Sequence, residues 1–117
     1  MRLIGFDIET TGLEPWRNDG HIITFAVATE PAEQIDQPNQ LTAQALVVPD
    51  DITKAREKLT KLFTALVESD YVIAAWNAAF EIAWLSHYIP HELLYKTRWL
   101  DGMLLWKHLE NSTQDGE

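Results

Sequence analysis

Two carboxylates stand one residue apart at the end of the first apolar run of the chain. The run RLIGFDI, residues 2–8, predicts a strand, and Asp7 and Glu9 come just before the turn-forming residues TTG. Residues i and i+2 of a strand point to the same face, about 7 Å apart along the chain. Two like charges this close repel, so that one must take up a proton unless a cation lies between them. A hard divalent cation with oxygen ligands is the ordinary solution, and the pair predicts a metal site.

The exposed end of an edge strand is the alternative explanation of this pair. The residues that precede Asp7 are apolar on both faces of the predicted strand, which favours a central position in a sheet. The two acids also come where a glycine turn follows, as expected for the carboxyl end of a buried strand.

A third acid, Glu81, lies in the segment WNAAFE, where a predicted buried strand, YVIAAW, meets a helix. Asn77 is expected to cap this helix, and Glu81 lies one turn in, on the same side as Asn77. If YVIAAW lies near the first strand, Glu81 faces the Asp7 and Glu9 pair. The alternative is an ordinary surface acid near a helix N-terminus, where the helix dipole favours negative charge.

The other elements predict one α/β domain over residues 1–117 with a mixed sheet. Three strands come first and are expected to be antiparallel; helices then alternate with a further strand. Expected strands are 2–8, 21–29, 44–49 and 71–76; expected helices are 50–70, capped by Asp50 or Asp51, and 78–88, ended by Pro90. Residues 30–43 are expected to form a loop, 97–110 an extended piece that enters a helix near Asp101, and 111–117 a flexible tail.

Composition limits the possible functions. The chain has 117 residues, of which 46% are hydrophobic, and no cysteine, which excludes disulfides and thiolate metal sites and permits a cytoplasmic location. No apolar run approaches about 18 residues, so the sequence predicts neither a membrane span nor a signal peptide. Nine basic and eighteen acidic residues give a net charge of −9, which argues against a nucleic-acid partner. The alternative is that some of these acids are metal ligands, whose charge a bound cation would cancel.

Three segments resemble one nuclease family. FDIETTGL resembles the first motif of the DEDD-type 3′–5′ exonucleases, Asp-x-Glu-Thr-x-x-Leu, and NAAFE resembles their second motif. LDGMLLWKHL resembles the helix that follows in the proofreading domains of family A DNA polymerases. The resemblance spans residues 3 to about 110. It implies a ribonuclease H-like fold, with a mixed five-stranded sheet and flanking helices.

The resemblance also implies residue roles. Asp7 and Glu9 would hold two divalent ions, Mg²⁺ or Mn²⁺, and Glu81 would take the place of the aspartate of the second motif. Asp101 would be a helix cap or would lie behind the metal ligands, and of these two roles the cap is favoured. The residues expected on the path of a single-stranded 3′ end of DNA are Thr10, Thr11, Leu13, Trp16, Asn77 and Phe80. Trp16 is the best stacking candidate, since most of the other tryptophans are expected in the core.

Two departures from the family pattern set the remaining alternatives. Glu81 stands where the family has aspartate, and the third motif, Tyr-x-x-x-Asp or His-x-x-x-x-Asp, is missing because His108 and Asp115 have the wrong spacing. The chain is therefore expected to be the N-terminal part of an exonuclease domain that is incomplete at its C-terminus and at most weakly active alone. A polymerase domain or a partner chain would bring the third motif. A non-catalytic ribonuclease H-like scaffold module and an RNA-directed exonuclease remain open.

Overall fold

The computed structural model describes residues 2–12, 15, 20–29 and 42–115, with the backbone alone at 42 and at 111–115. Its strands are β1 (Arg2–Thr10), β2 (Ile22–Thr29), β3 (Thr42–Val47), β4 (Tyr71–Ala75) and β5 (Arg98–Asp101). Its helices are α1 (Ile52–Glu68), α2 (Ala78–Leu85), α3 (His91–Lys96) and α4 (Gly102–Asp115). The strands form one mixed sheet in the order β3-β2-β1-β4-β5. The predicted α/β class and mixed sheet are confirmed.

Strand β1 lies at the centre of this sheet. It pairs antiparallel with β2 and parallel with β4, and β2 pairs antiparallel with β3, so the first three strands form the predicted antiparallel arrangement. Asp7 lies opposite Ala26 and Glu9 opposite Thr24, before a register shift at the end of β1. The two acids therefore lie on one face of the central strand.

The core covers one face of the sheet. Ile4, Phe6 and Ile8 of β1 are buried, and the ring of Phe6 lies 5.3 Å from that of Phe63 in α1, centroid to centroid. The same cluster includes Trp84 of α2 and residues packed from α3. Right-handed crossovers through parallel strands place successive helices on the same face, which accounts for this one-sided core.

The opposite face of the sheet, which we call the open face, is not covered by any described helix. Its side chains are small or apolar around the Asp7 and Glu9 pair, and Val47 is 70% exposed. The members that register places there are Leu3, Gly5, Asp7, Glu9, Thr24, Ala26, Ala28, Ala43, Ala45, Val47, Val72, Ala74, Arg98 and Leu100. The predicted central position of β1 is confirmed, although the described helices that pack on the sheet, α1, α2 and α3, cover one face of it.

Helix α4 extends away from the core. Its apolar side chains Leu104, Leu105, Trp106 and Leu109 are exposed. The helix begins after Asp101, as predicted, but continues through Asp115, so residues 111–115 are helical where the sequence predicts a tail. Proline is absent from this stretch and glycine first recurs at 116, so nothing breaks the helix earlier. None of the described helices is both long and apolar enough to cross a membrane.

Local sequence signals set most of the other helix boundaries. Asp51 caps α1, because its side chain accepts a hydrogen bond from the amide of Lys54 at 3.1 Å. Helix α2 ends at Leu85, earlier than predicted, and α3 is an element that the sequence did not predict. Pro90 stands at the N-cap of α3 and so begins a helix as well as ending the preceding run.

The expected loop 30–43 lies outside the described residues except for its last two positions, which belong to β3.

The open face predicts self-association or binding of an apolar dye. Replacing both Leu3 and Val47 with threonine should lower dye fluorescence and shift sedimentation towards the monomer, because threonine keeps β-propensity and reduces apolar surface. Leu109→Thr, on α4, is the matched control for the sheet face. A purified chain that sediments as a monomer and binds no dye would contradict the prediction.

Candidate functional site

The carboxyl ends of three strands meet at one edge of the sheet, which we call the carboxyl edge. Parallel pairing sets Gly5 of β1 beside Ala74 of β4, and Ala75 beside Asp101 of β5. Each of these strands leads into a turn or a helix just beyond the edge. The structure thus brings Asp7, the start of α2 and the start of α4 together, although they are far apart in sequence.

Asp7 and Glu9 are exposed side chains on the open face, at the carboxyl end of β1. Their common face is the one expected from strand periodicity. Their main-chain positions are fixed by pairing with β2, opposite Ala26 and Thr24. The small Ala26 leaves space on the face beside Asp7, so a ligand can approach this carboxylate from the open side.

Glu81 is the charged side chain that the described part of the chain buries, with 4% of its surface exposed. Among the described residues, no group donates a hydrogen bond to its Oε2 atom. Its pKa is raised from 4.5 to about 7, mainly because burial removes water from the carboxylate. A backbone hydrogen bond lowers the pKa in part, and the negative charges of Asp7 and Asp101 raise it further. Glu81 therefore lies near Asp7, as predicted, and is not a surface acid.

Asp101 links the starts of two helices. Its Oδ2 accepts a hydrogen bond from the amide of Ala78 at 3.1 Å, and its Oδ1 accepts from the amides of Met103 at 3.0 Å and Leu104 at 3.2 Å. It therefore caps α4, as predicted, and also the first turn of α2. Asn77 occupies the N-cap position of α2, but its side chain makes no capping hydrogen bond, so that prediction is wrong. The charged Asp101 carboxylate, brought in by β5, takes this place.

The predicted strand-contact residues have different positions. The hydroxyl of Thr10 donates to the carbonyl oxygen of Gly12, and that of Thr11 accepts from the amide of His21 at 3.0 Å, so both take part in the turn after β1. Phe80 is half-buried, with its ring 6.4 Å from that of Trp84. Leu13 and Trp16 lie outside the described residues.

Trp76 is a residue of the carboxyl edge that the sequence analysis missed. Trp84 is buried and Trp99 packs against Phe6 and Phe63, as expected of core tryptophans, but Trp76 is 63% exposed. It borders a groove of about 440 Å³, lined by Phe6, Asp7, Ala74, Ala75, Trp76, Leu100 and Gly102. Its position directly after β4, beside the strand that bears Asp7, is the signal that could have identified it.

The carboxyl edge has the donor chemistry of a cation site. Among the described residues, no group of three or more histidine, aspartate or glutamate side chains is already placed to hold a metal ion. Asp7 and Glu81 nevertheless lie near each other, and the buried Oε2 of Glu81 has no donor within the described region. A divalent cation would partner this oxygen and favour the ionised carboxylate. The acids present therefore fit a divalent cation in chemical type, although the described side chains are not already arranged around one.

Comparisons with known proteins do not identify a family. No protein-family model matches the chain, and no curated protein matches it. The residues of the carboxyl edge therefore provide the basis for a proposal on function.

The raised pKa of Glu81 predicts that the stability of the metal-free protein falls as pH rises. The folded chain keeps a proton that the unfolded chain releases, so this stabilisation is fully present below pH 4.5 and is lost as pH rises through about 7. The loss should reach about 3 kcal/mol of unfolding free energy. Glu81→Gln should remove this pH dependence in urea unfolding at about pH 5 and about pH 8.

Glu68→Gln is the matched control for this measurement. Glu68 is an exposed acid at the end of α1, and its replacement should leave the pH dependence unchanged. Equal pH dependence in wild type and Glu81→Gln would show that folding does not raise the pKa of Glu81.

Proposed function

We propose that this chain is a ribonuclease H-like 3′–5′ exonuclease domain that hydrolyses phosphodiester bonds at the 3′ end of DNA with two divalent ions. The observation that carries the proposal is the buried carboxyl of Glu81 near Asp7 at the carboxyl edge, whose Oε2 has no hydrogen-bond donor among the described residues. The five-stranded mixed sheet, with its antiparallel first three strands, supports the fold assignment without being specific to it. Proofreading beside a DNA polymerase is the biological role that this chemistry fits best.

The proposed chemistry assigns a task to each acid. Asp7, Glu9 and Glu81 would hold Mg²⁺ or Mn²⁺, which when bound activates water and stabilises the leaving 3′ oxygen. Asp7 is central to the set, because it lies next to Glu9 on the strand and near Glu81 across the edge. Glu81 must lose its proton to serve as a ligand, and a pKa of about 7 allows this near neutral pH. Asp101 already accepts three amide hydrogen bonds, so its task is to position α2, which carries Glu81.

A partner that completes the site is a second part of the proposal. Asp7 and Glu9 lie on the open face, where apolar side chains surround them. A polymerase domain or a partner chain seated on this face would lie directly beside the two acids and could add the missing fourth ligand. This geometry favours a split exonuclease over a complete one. A scaffold module that cleaves nothing is the competing function, and metal binding separates the two.

Metal binding should depend on Asp7. Calorimetric titration of the purified chain with Mn²⁺ or Mg²⁺ should show binding that Asp7→Asn abolishes and Glu81→Gln weakens about tenfold or more, because each change removes a carboxylate ligand. Glu68→Gln, at the opposite edge of the sheet, should bind metal as wild type does. Metal binding that persists in Asp7→Asn, or no binding at all, would favour the scaffold function.

Cleavage by the isolated chain should be weak and should require metal. With a 5′-labelled single-stranded oligodeoxynucleotide, we expect slow removal of 3′ nucleotides in Mn²⁺ that Asp7→Asn eliminates, because the fourth ligand is missing. The cleavage rate of an RNA oligonucleotide of the same sequence, compared with that of the DNA, tests whether the substrate is DNA or RNA. Rapid release of mononucleotides by the 117-residue chain would contradict the need for a partner.

A further inference from the structure

We infer that the groove beside Asp7 binds a nucleobase of a single-stranded end, and that Trp76 is the stacking surface. This inference rests on the proposed nuclease function. Trp76 begins the segment that leads from β4 into α2, and its side chain is 63% exposed. What distinguishes Trp76 from exposed rings such as Trp106 is that it lines the groove that also contains Asp7, where a flat ligand can cover it.

The backbone of Trp76 is held in place on both sides. Its carbonyl oxygen accepts a hydrogen bond from the amide of Met103 at 2.8 Å, and the following Ala78 amide donates to Asp101. These bonds fasten the end of β4 to the start of α4. The first bond uses the main-chain oxygen of Trp76 and the second uses the main-chain amide of Ala78, so the indole takes no part in either. The ring is therefore presented from a fixed position, which lowers the entropy cost of stacking a ligand on it.

Gly102 supports the inner side of the indole ring. A Cβ atom at this position would come within 3.3 Å of Cε3 of Trp76, so the ring lies directly against the glycine. This contact covers part of the ring and leaves the rest facing the groove. Leu100, Ala74 and Asp7 line the same groove. A flat, apolar ligand can thus lie on the indole while a polar group attached to it reaches the acid.

The size and charge of the groove select the ligand. Its volume of about 440 Å³ lies in the range of about 300–1,000 Å³ that small-molecule sites occupy. The chain has a net charge of −9, and Asp7, Glu9 and Glu81 make this edge acidic, so phosphates gain little attraction from the protein alone. Stacking of a base on an aromatic ring needs no positive charge and tolerates any base. A nucleobase next to the scissile phosphate fits the volume of the groove and can bind without positive charge from the protein.

The same geometry accounts for a preference for single strands. A base can lie flat on Trp76 only when it is not stacked within a duplex. The groove opens on the side of the sheet that bears Asp7, so the base and the adjoining phosphate would lie on one face. Trp76 is therefore a binding residue that sets the position of the strand beside the carboxylates.

Oligonucleotide binding with exposed tryptophans exchanged one at a time tests the inference. The parent protein is the wild-type chain in EDTA, so that the DNA is not consumed, and it is titrated with a short single-stranded oligothymidylate. Adding Trp76→Leu should weaken binding about tenfold, and adding Trp76→Phe should restore most of it, since phenylalanine also stacks. Trp106→Leu is the matched control, because Trp106 is 60% exposed on α4 and does not line the groove.

Tryptophan fluorescence supplies a second readout. DNA should quench the emission of the Trp106→Phe variant and leave that of Trp76→Phe nearly unchanged. Near-ultraviolet circular dichroism checks that each variant is folded, and little change is expected because the Trp76 side chain is mostly exposed.

Equal affinity of the parent and Trp76→Leu would overturn the inference, as would a parent that binds no oligonucleotide. A Trp76→Leu variant that changes only self-association would assign the ring to a protein contact and overturn it too. The nuclease function is judged separately, by the metal binding that depends on Asp7. Trp76 can therefore fail as a base-stacking residue while the metal site stands.

Discussion

Parallel pairing of β1 with β4, and of β4 with β5, is the constraint on which the rest of the site depends. It brings Asp7, Trp76 and Asp101 from three separate stretches of sequence to one edge of the sheet. Parallel strands need long crossovers, and the helices that form them bury one face of the sheet while leaving the edge accessible. The carboxyl edge is thus a direct result of the topology.

The protonation state of the buried Glu81 carboxyl affects both the stability of the protein and its capacity to bind a cation. The carboxyl is buried, and no donor in the described region bonds to its Oε2, so the charged form is unfavourable. The pKa of the group is therefore raised to about 7. Such a group contributes most to stability when neutral and can bind a cation only when ionised. Perturbed acids of this kind concentrate at functional sites, which is why Glu81 weighs more in the proposal than the exposed Glu9.

The one-sided core has a consequence for how the protein would act. Helices α1, α2 and α3 pack on the face of Phe6, and none of the described helices covers the face of Asp7, which bears apolar side chains such as Leu3 and Val47. Under the proposed function, acids on such a face would depend on a partner both for a further ligand and for exclusion of water. The proposed partner and the proposed weak activity of the chain alone would then have the same geometric cause.

The sequence by itself determined most of the strands and helices and the pairing of Asp7 with Glu9, but not α3. Strand periodicity set Asp7 and Glu9 on one face, and the sequence at Asp51 and Asp101 marked two helix starts, because these signals act over a few residues. Only the tertiary structure decided that Glu81 is buried, that Asp101 rather than Asn77 holds the first turn of α2, and that Trp76 is exposed. The burial of a side chain and its hydrogen-bond partners depend on which strands become neighbours. Local sequence does not determine how β5 aligns with β4.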